Sequence, residues 1–313
     1  MLVLLIKEKH TSEYRLNSYE SFYKELPNHC DCEFYGLDSV SYDPNKTIDD
    51  IISDMAVKPD IIFVMAPLFK FSNWDNIKAK KYLLVTDSFD SNEKMQKAKH
   101  YPRMDEIKWD GVFHHYLYAL DFMKSKIKSN WVYWPNWASE LYNAQDEKLD
   151  IRIKKNLDFF LSGKYSSEYA MRKIFHKAFH KSGLDCLDNF SEKRVNNIRD
   201  NSNFWIHLIR SKYSPHDGGI NGRIVPRYVE SCYAKSVIIS PDLGKEMKLL
   251  GFIPGINYIK VKRTSNIKSV RNQMKEIAKH SDWERLSTNA YNLVKENHTT
   301  ECRIKQFLEV VRK

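Results

Sequence analysis

Short apolar runs recur along the first half of the chain, and each ends in polar or turn-forming residues. They are MLVLLI (1–6), PDIIFVMAP (59–67), KKYLLVTD (80–87), DGVFHHY (110–116) and WVYWPNWAS (131–139). A strand that is buried on both faces of a parallel sheet reads as such a run, and a helix connects it to the next strand. TIDDIISDMA (47–56) has the apolar spacing of a helix after a Thr and Asp start. The first half is therefore predicted to be an α/β domain with a parallel sheet.

A second set of elements begins after the polar stretch YNAQDEKLDIRIKKN (142–156). LDFFLSG followed by KYSSEYAMRKIFHKAFHKSG (157–183) predicts a strand, a glycine-containing turn and a helix. We expect a helix at about 202–212, then the loop SPHDGGINGR, a helix from Val225 to Ala234 and the strand SVIIS. The last 45 residues are charged and helical, with Thr299 or Thr300 as the N-cap of the final helix.

The predicted organisation is two Rossmann-like α/β domains, 1–145 and 146–313, with the last helix packing back on the first domain. Two such domains that face one another form a cleft, and ligands of open α/β sheets bind beyond the carboxyl ends of the strands. The cleft between the domains is therefore the expected ligand site.

The cysteines and the first residues bear on the compartment. Five cysteines are scattered along 313 residues, which favours a reducing compartment over a disulfide framework. Cys30 and Cys32 have no second pair at zinc-ligand spacing, so no metal site is expected. MLVLLIKEK has neither the features of a signal peptide nor the length of a membrane span. We expect a cytoplasmic protein without a transmembrane segment.

The net charge of +10 is divided unevenly. Residues 1–150 carry 19 Lys and Arg against 24 Asp and Glu, whereas residues 151–313 carry 31 against 16. A basic half suits an anionic ligand such as a phosphate or a nucleic acid, although a solvated lysine-rich surface has the same composition.

Arg227 and Glu230 lie three residues apart in GRIVPRYVESCYAKSVIISPD (222–242), just before the predicted strand. On one helix face they could pair with each other. The preceding loop contains Gly218, Gly219 and Gly222, so the amino end of the helix is accessible to an anion, and Arg223 adds a positive charge there. An arginine for a diphosphate and a carboxylate for ribose hydroxyls would together form a nucleotide site.

The same segment resembles the donor-site region of GT-B glycosyltransferases, most closely the CgeB-like branch, and is similar to the phage DNA glucosyltransferases. LDFFLSGKYSSEYAMRKIF (157–175), WVYWPNWAS (131–139) and ENHTTECRIKQFLEVV (296–311) resemble further segments of that family. The resemblance covers about 60–313 loosely. At the level of individual residues it is specific at 221–242 and 297–308.

The resemblance implies that Glu230 holds the donor ribose, that Arg227 holds the diphosphate and that Arg172 contacts a phosphate. It also implies nucleotide-sugar chemistry without a metal or other cofactor. Two positions depart from the family. Retaining members often carry an acid seven or eight residues before the ribose glutamate, where this chain has Arg223 and Gly222, and a small glycine usually follows the helix, where this chain has Lys235.

A transferase that inverts needs a general base for the acceptor hydroxyl, and the end of a strand suits it. VTDSFD (85–90) offers Asp87 and Asp90, of which Asp87 is placed like the base of the phage enzymes or else caps the next helix. His114 and His115 are the other candidates, and one of them is expected to be packed in the core.

Two further groups of side chains have open roles. His216 and Asp217 could contact the transferred sugar or its phosphates. Trp131, Trp134 and Trp137 could stack on a sugar or nucleotide ring or else pack in the core and hinge.

The predicted function is a glycosyltransferase that uses a UDP- or GDP-sugar and modifies a hydroxyl of a glycan, a lipid-linked acceptor or a protein. The alternatives are a DNA-modifying glucosyltransferase and a non-enzymatic nucleic-acid-binding protein. The acidic excess of residues 1–150, which would hold the acceptor, disfavours DNA.

Overall fold

The computed structural model describes residues 1–7, 17–36, 42–43, 45–65, 72–85, 107–117, 120, 129–139, 148–164, 169–180, 182–191, 201–219 and 222–313. Its strands are β1 (Leu2–Lys7), β2 (Asp31–Gly36), β3 (Ile61–Val64), β4 (Lys80–Val85), β5 (Gly111–His114), β6 (Trp131–Tyr133), β7 (Leu157–Lys164), β8 (Cys186–Ser191), β9 (Ser211–Pro215), β10 (Val237–Ser240) and β11 (Ile259–Lys260). Its helices are α1 (Asn17–Glu25), α2 (Ile48–Asp54), α3 (Ala170–Phe179), α4 (Asn201–Arg210), α5 (Pro226–Tyr233), α6 (Lys245–Leu249), α7 (Ile267–Ala278), α8 (Trp283–Asn297) and α9 (Thr300–Val311).

The first sheet has the strand order β2-β1-β3-β4-β5-β6 with parallel neighbours throughout. All four residues of β3 and of β5 are buried, which is why their sequences are apolar without alternation. The second sheet has the order β11-β10-β9-β7-β8 and is also parallel. The predicted fold class, two parallel α/β sheets with helices after the second, is confirmed.

In each sheet the second strand pairs on one side of the first strand and the later strands pair on its other side, which creates a topological switch point. In the second sheet β7 lies between β8 and β9, so the connection after β8 passes to the opposite side of β7. Ligands of open parallel sheets bind at such a point, beyond the carboxyl ends of the two strands. The segments that follow β7 and β9 are therefore where a ligand is expected in this sheet.

The structure divides into two compact units. The first contains Met1–Ser12, Phe22–Pro135 and Arg303–Lys313, and the second contains Glu13–Ser21 and Asn136–Cys302. Asn136 and Ala138, assigned to the first domain from the sequence, lie in the second unit. Their contacts explain this, because the Asn136 amide donates a 3.0 Å hydrogen bond to the Ile224 carbonyl and the Ala138 N–H donates one of 2.8 Å to the His298 carbonyl.

An aromatic cluster forms the core of the first unit on one face of its sheet. Phe307 of α9 stacks on Phe63 of β3 with ring centroids 4.6 Å apart, and Phe22, Phe113 and Trp134 surround them. All five side chains are fully buried. The segment of α9 from Arg303 onward thus completes the core of the first unit.

The three tryptophans of WVYWPNWAS are buried, which identifies them as packing residues. Trp134 Nε1 also donates a 3.3 Å hydrogen bond to the Arg303 carbonyl, and Arg303 Nε donates one of 2.8 Å to the Pro135 carbonyl. The HTTECR motif at 298–303 therefore has a structural role. In the described part of the chain, no helix combines the length and apolarity needed to cross a membrane.

Candidate functional site

Arg227 lies in the first turn of α5, and its guanidinium is held near the carboxyl end of β7. Nη1 donates a short hydrogen bond to the Ser162 hydroxyl, and the guanidinium carbon lies 4.7 Å from the centre of the Phe204 ring. Pro226 occupies the first turn of α5 and fixes its start, because proline needs no hydrogen-bond acceptor there. The sequence VPRYVE thus places the Arg227 guanidinium at the carboxyl end of β7.

Arg172 comes to the same end of β7 from the first turn of α3. Its Nη2 donates a 3.1 Å hydrogen bond to Oδ1 of Asp217, which follows β9, and its guanidinium stacks on Tyr169 at 4.1 Å. A Cβ at Gly163 would lie 2.5 Å from Nη1 of Arg172, so only glycine leaves room for this guanidinium. Gly163 also has φ of 122°, a conformation that favours glycine.

Asp217 is 3% exposed and is oriented by several groups. Besides Arg172, the Gly219 N–H donates a 2.9 Å hydrogen bond to Oδ1, and Arg263 Nη2 donates one of 3.3 Å to the Asp217 carbonyl. The other carboxylate oxygen, Oδ2, is buried and makes no hydrogen bond to a described residue. A buried carboxylate oxygen normally has a donor, so Oδ2 has acceptor capacity that the described residues leave unused.

His216 is buried and lies near both arginines. Its Nε2 is 2.9 Å from the Ser231 hydroxyl, and its ring packs on Tyr228 at 4.9 Å. Burial, followed by the nearby charges of Arg227 and Arg172, holds the pKa of His216 well below its usual value. His216 is therefore neutral at pH 7 and adds no positive charge next to the arginines.

The glycine loop before α5 has a left-handed backbone at its glycines. Gly218, Gly219 and Gly222 all have φ between 64° and 77°, and the Arg223 N–H closes the loop with a 2.6 Å hydrogen bond to the Gly218 carbonyl. The side chain of Arg223 is buried.

A buried acid fixes the last residues of the loop. The Glu246 carboxylate of α6 accepts a 3.2 Å hydrogen bond from the Ile224 N–H, which satisfies a backbone group at the helix entrance.

Glu230 lies one turn after Arg227 on α5 and is partly exposed. Its position next to the buried strand VIIS is the one predicted from the sequence. Lys235, which follows α5 where the resembled family usually has glycine, has φ of 55°. The left-handed backbone is thus retained without the glycine.

The structure places both candidate histidines of the first unit in its interior. His114 ends β5 and accepts a 3.0 Å hydrogen bond from the Tyr116 N–H at Nδ1, whereas His115 Nδ1 lies 2.7 Å from the Trp134 carbonyl with the two rings stacked. Both side chains are therefore packed in the interior, with His114 0% and His115 2% exposed. Asp87 and Asp90 lie outside the described residues.

Five residues around the arginines had no assigned role in the sequence analysis. They are Ser162, Gly163, Tyr169, Phe204 and Arg263. A serine and glycine at the end of a strand, in LDFFLSG, is the one local signal among them. We call Ser162, Arg172, His216, Asp217 and Arg227 the switch-point cluster, because they lie at or after the carboxyl ends of β7 and β9, at the topological switch point.

Within the described residues, no three His, Cys, Asp or Glu side chains lie close enough together to hold a metal ion.

Comparison of the sequence with known proteins gives no match. No family model matches the chain, and no curated protein matches it significantly.

Comparison of the structure gives whole-chain matches. Sucrose-phosphate synthase from Thermosynechococcus elongatus matches with a TM-score of 0.68 and 10% identity, over 100% of this chain and 98% of that one. Anabaena HepE, solved with UDP and glucose, matches with a TM-score of 0.60 and 9% identity, over 100% and 99%. An α-glucosyltransferase solved with UDP and a 13-mer DNA matches with a TM-score of 0.60 and 11% identity, also over 100% and 99%. These matches confirm the predicted resemblance at the level of fold, and the chain has the fold of the GT-B glycosyltransferases.

Proposed function

We propose that the chain is a glycosyltransferase that transfers a sugar from a nucleotide-sugar donor, UDP-linked in the first instance, to an acceptor hydroxyl. The observation that carries the proposal is the switch-point cluster. Two arginines converge at the carboxyl ends of β7 and β9, where a parallel sheet binds ligands, and Glu230 lies one turn along the same helix as Arg227.

Each group has a role in this proposal. Arg227 and Arg172 bind the diphosphate and stabilise the negative charge that grows on it as the glycosidic bond to the sugar breaks. The partial positive charge at the amino end of α5 also stabilises the negative charge on the diphosphate. Glu230 accepts hydrogen bonds from the ribose hydroxyls, and Oδ2 of Asp217 accepts one from a sugar hydroxyl. The arginines neutralise the diphosphate directly, so the proposal needs no metal ion.

Proton removal from the acceptor is assigned to Asp87, with His114 and His115 as the other candidates. If Asp87 is the base, we expect Asp87→Asn to lower the transfer rate by about 10² or more while nucleotide binding stays unchanged. A near-normal rate would transfer the role to His114 or His115. In His115 the Nδ1–H donates to the Trp134 carbonyl, so Nε2 would be the basic nitrogen.

The donor is UDP-linked in the proposal because HepE and the DNA-bound glucosyltransferase were both solved with UDP. Calorimetric titration of UDP, uridine and GDP into the full chain tests this. We expect UDP to bind more tightly than uridine, because uridine lacks the diphosphate that the arginines contact.

Two variants separate the roles within the site. Glu230→Gln should weaken UDP and uridine alike by about 10- to 100-fold, since both carry the ribose. Arg227→Met should weaken UDP by a similar factor and leave uridine unchanged. Glu284→Gln, an exposed acid on α8, is the control. Unchanged UDP affinity in both site variants would contradict the proposed donor site.

DNA is the second candidate acceptor, since one whole-chain structural match was solved with DNA. The acidic excess of residues 1–150 favours a glycan, a lipid-linked acceptor or a protein instead. Transfer of radiolabelled glucose from UDP-glucose to duplex DNA would select the DNA-modifying enzyme. DNA binding with a steep salt dependence and no nucleotide binding would instead select the non-enzymatic nucleic-acid-binding protein.

A further inference from the structure

Cys30 and Cys32 flank Asp31 at the start of β2, in the first unit. Their Sγ atoms are 3.5 Å apart, and Cys32 Sγ also lies 3.4 Å from the Cys30 carbonyl. A disulfide bond is about 2.05 Å long, so the two sulfurs need to approach by only about 1.5 Å to bond. Both side chains are partly exposed, which leaves them accessible to a small reagent.

The surroundings make the two thiols unequal. A hydrogen bond from Cys32 lowers the pKa of Cys30, and burial opposes this effect. Among the nearby charges, Arg312 and the α-amino group of Met1 lower the pKa of Cys30, whereas Asp31 raises it. The same hydrogen bond, together with burial and the charges of Cys30 and Asp31, raises the pKa of Cys32. Cys30 is thus the more acidic thiol of the pair and the expected nucleophile, and Cys32 is the less acidic thiol beside it.

We propose that Cys30 and Cys32 form a redox-active dithiol, which a low-molecular-weight disulfide such as glutathione disulfide converts into an intramolecular disulfide. The Cys30 thiolate attacks one sulfur of the small disulfide, forms a mixed disulfide and releases the first small thiolate. Cys32 then loses its proton to solvent, and its sulfur attacks the Cys30 sulfur and releases the second thiolate. Two electrons leave the protein dithiol, and the small disulfide is reduced to two thiols.

This reaction is independent of the proposed glycosyl transfer. The cysteine pair lies at the amino end of β2 in the first unit, whereas the switch-point cluster belongs to the second unit and follows the carboxyl ends of its strands. Failure of one proposal therefore leaves the other unaffected.

Peptide mapping of the oxidised protein provides the test. Both cysteines fall in one tryptic peptide, residues 25–46, so an internal disulfide is recognised from the mass of that peptide alone. The full chain is incubated with glutathione disulfide, quenched with N-ethylmaleimide and digested. We expect the peptide to have lost two hydrogen atoms, to carry neither glutathione nor maleimide, and to regain both thiols after treatment with dithiothreitol. A peptide that carries two maleimides, or a stable glutathione adduct, would overturn the proposal.

A pair of variants tests the order of attack. Cys32→Ser should accumulate one glutathione on Cys30, because the resolving thiol is missing, whereas Cys30→Ser should react at Cys32 at least about tenfold more slowly, since its thiol remains protonated. Cys302→Ser is the matched control and should form the internal disulfide at the rate of the unsubstituted protein. Equal rates of modification at Cys30 and Cys32 would contradict the assignment of the nucleophile.

The rate of alkylation by iodoacetamide gives a readout that depends on the hydrogen bond between the thiols. We expect Cys30 in the unsubstituted protein to reach half of its maximal rate at a lower pH than Cys30 in Cys32→Ala, which has no donor at position 32. The same pH midpoint in both proteins would show that the thiols do not interact.

Discussion

Arg172 and Asp217 form a hydrogen-bonded ion pair of 3.1 Å between α3 and the loop after β9, and their side chains are only 14% and 4% exposed. The Arg172 guanidinium also stacks on the Tyr169 ring, and the Asp217 carboxylate also accepts a hydrogen bond from the Gly219 N–H. A pair withdrawn from water loses much more when one partner is removed than an exposed pair does, because the remaining charge is left without compensation.

Asp217→Asn should therefore lower the free energy of unfolding by about 2 kcal/mol or more, and chemical denaturation followed by circular dichroism would measure it. Asp150→Asn is the matched control, because Asp150 and Arg152 form an ion pair of 2.9 Å with both side chains more than half exposed. That substitution should change the free energy of unfolding by less than about 1 kcal/mol. Equal effects of the two substitutions would mean that the Arg172–Asp217 pair is solvated.

The depressed pKa of His216 predicts how stability depends on pH. Unfolding restores an ordinary pKa near 6.5, so below that pH the unfolded chain binds a proton that the folded chain does not, and stability falls as the pH falls. The loss from this one group is at most about 1.4 kcal/mol per pH unit. His216→Gln should lose less stability than the unsubstituted protein between pH 7 and pH 5, as measured by thermal melting. A parallel pH dependence in both proteins would contradict the buried neutral state.

Lys235 is one of two described non-glycine residues with positive φ, and its Nζ lies 5.1 Å from the centre of the Tyr291 ring. Lys235→Gly and Lys235→Ala both remove this cation–π contact, but only glycine relieves the left-handed backbone. The glycine variant should therefore be more stable than the alanine variant by about 1 kcal/mol in denaturant unfolding. If the two variants unfold at the same denaturant concentration, the backbone at this position is relaxed.

Phe307 tests the link between α9 and the first unit. Phe307→Ala should lower the free energy of unfolding by about 3–5 kcal/mol, since it leaves a cavity among fully buried rings. Val57→Ala, at a side chain that is 62% exposed, is the control and should change it by less than about 0.5 kcal/mol. A small effect at Phe307 would indicate that the core of the first unit forms without α9.

Strands that are buried on both faces could be predicted from their composition, and the edge strands β2 and β8 could not. IIFV, GVFH and VIIS are wholly buried and wholly apolar or nearly so. In β2, DCEFYG, the exposed acids alternate with less exposed residues, because β2 is an edge strand of the first sheet. In β8, CLDNFS is an edge strand of the second sheet. Neither was predicted.

Strand β9 was missed for a different reason. It begins at Ser211, directly after α4 ends at Arg210, so no loop separates the two elements and the helical pattern extends over the start of the strand. We predicted a helix to residue 212, and the sheet overrides that local preference.

The candidate site could be proposed from the sequence where its residues are contiguous. Arg227, Glu230 and the glycines before them were predicted from one segment, and Arg172 from the resemblance of another. The packing of Arg172 against Gly163 and Tyr169, and of Arg227 against Ser162 and Phe204, depends on where the sheet brings separate segments. Sequence spacing carries no information on such contacts.

The position of Phe307 in the first unit has a consequence for the synthesis of the protein. The ribosome makes the sheet of that unit early, but the aromatic rings on one of its faces stay uncovered until residues 303–313 emerge, and the Trp134 indole donates to a carbonyl 169 residues later in the chain. Domains commonly fold in order as they leave the ribosome. The core of the first unit therefore stays incomplete while residues 136–302 of the second unit are translated, and Phe63, Phe113 and Trp134 have to be kept from aggregating during that interval.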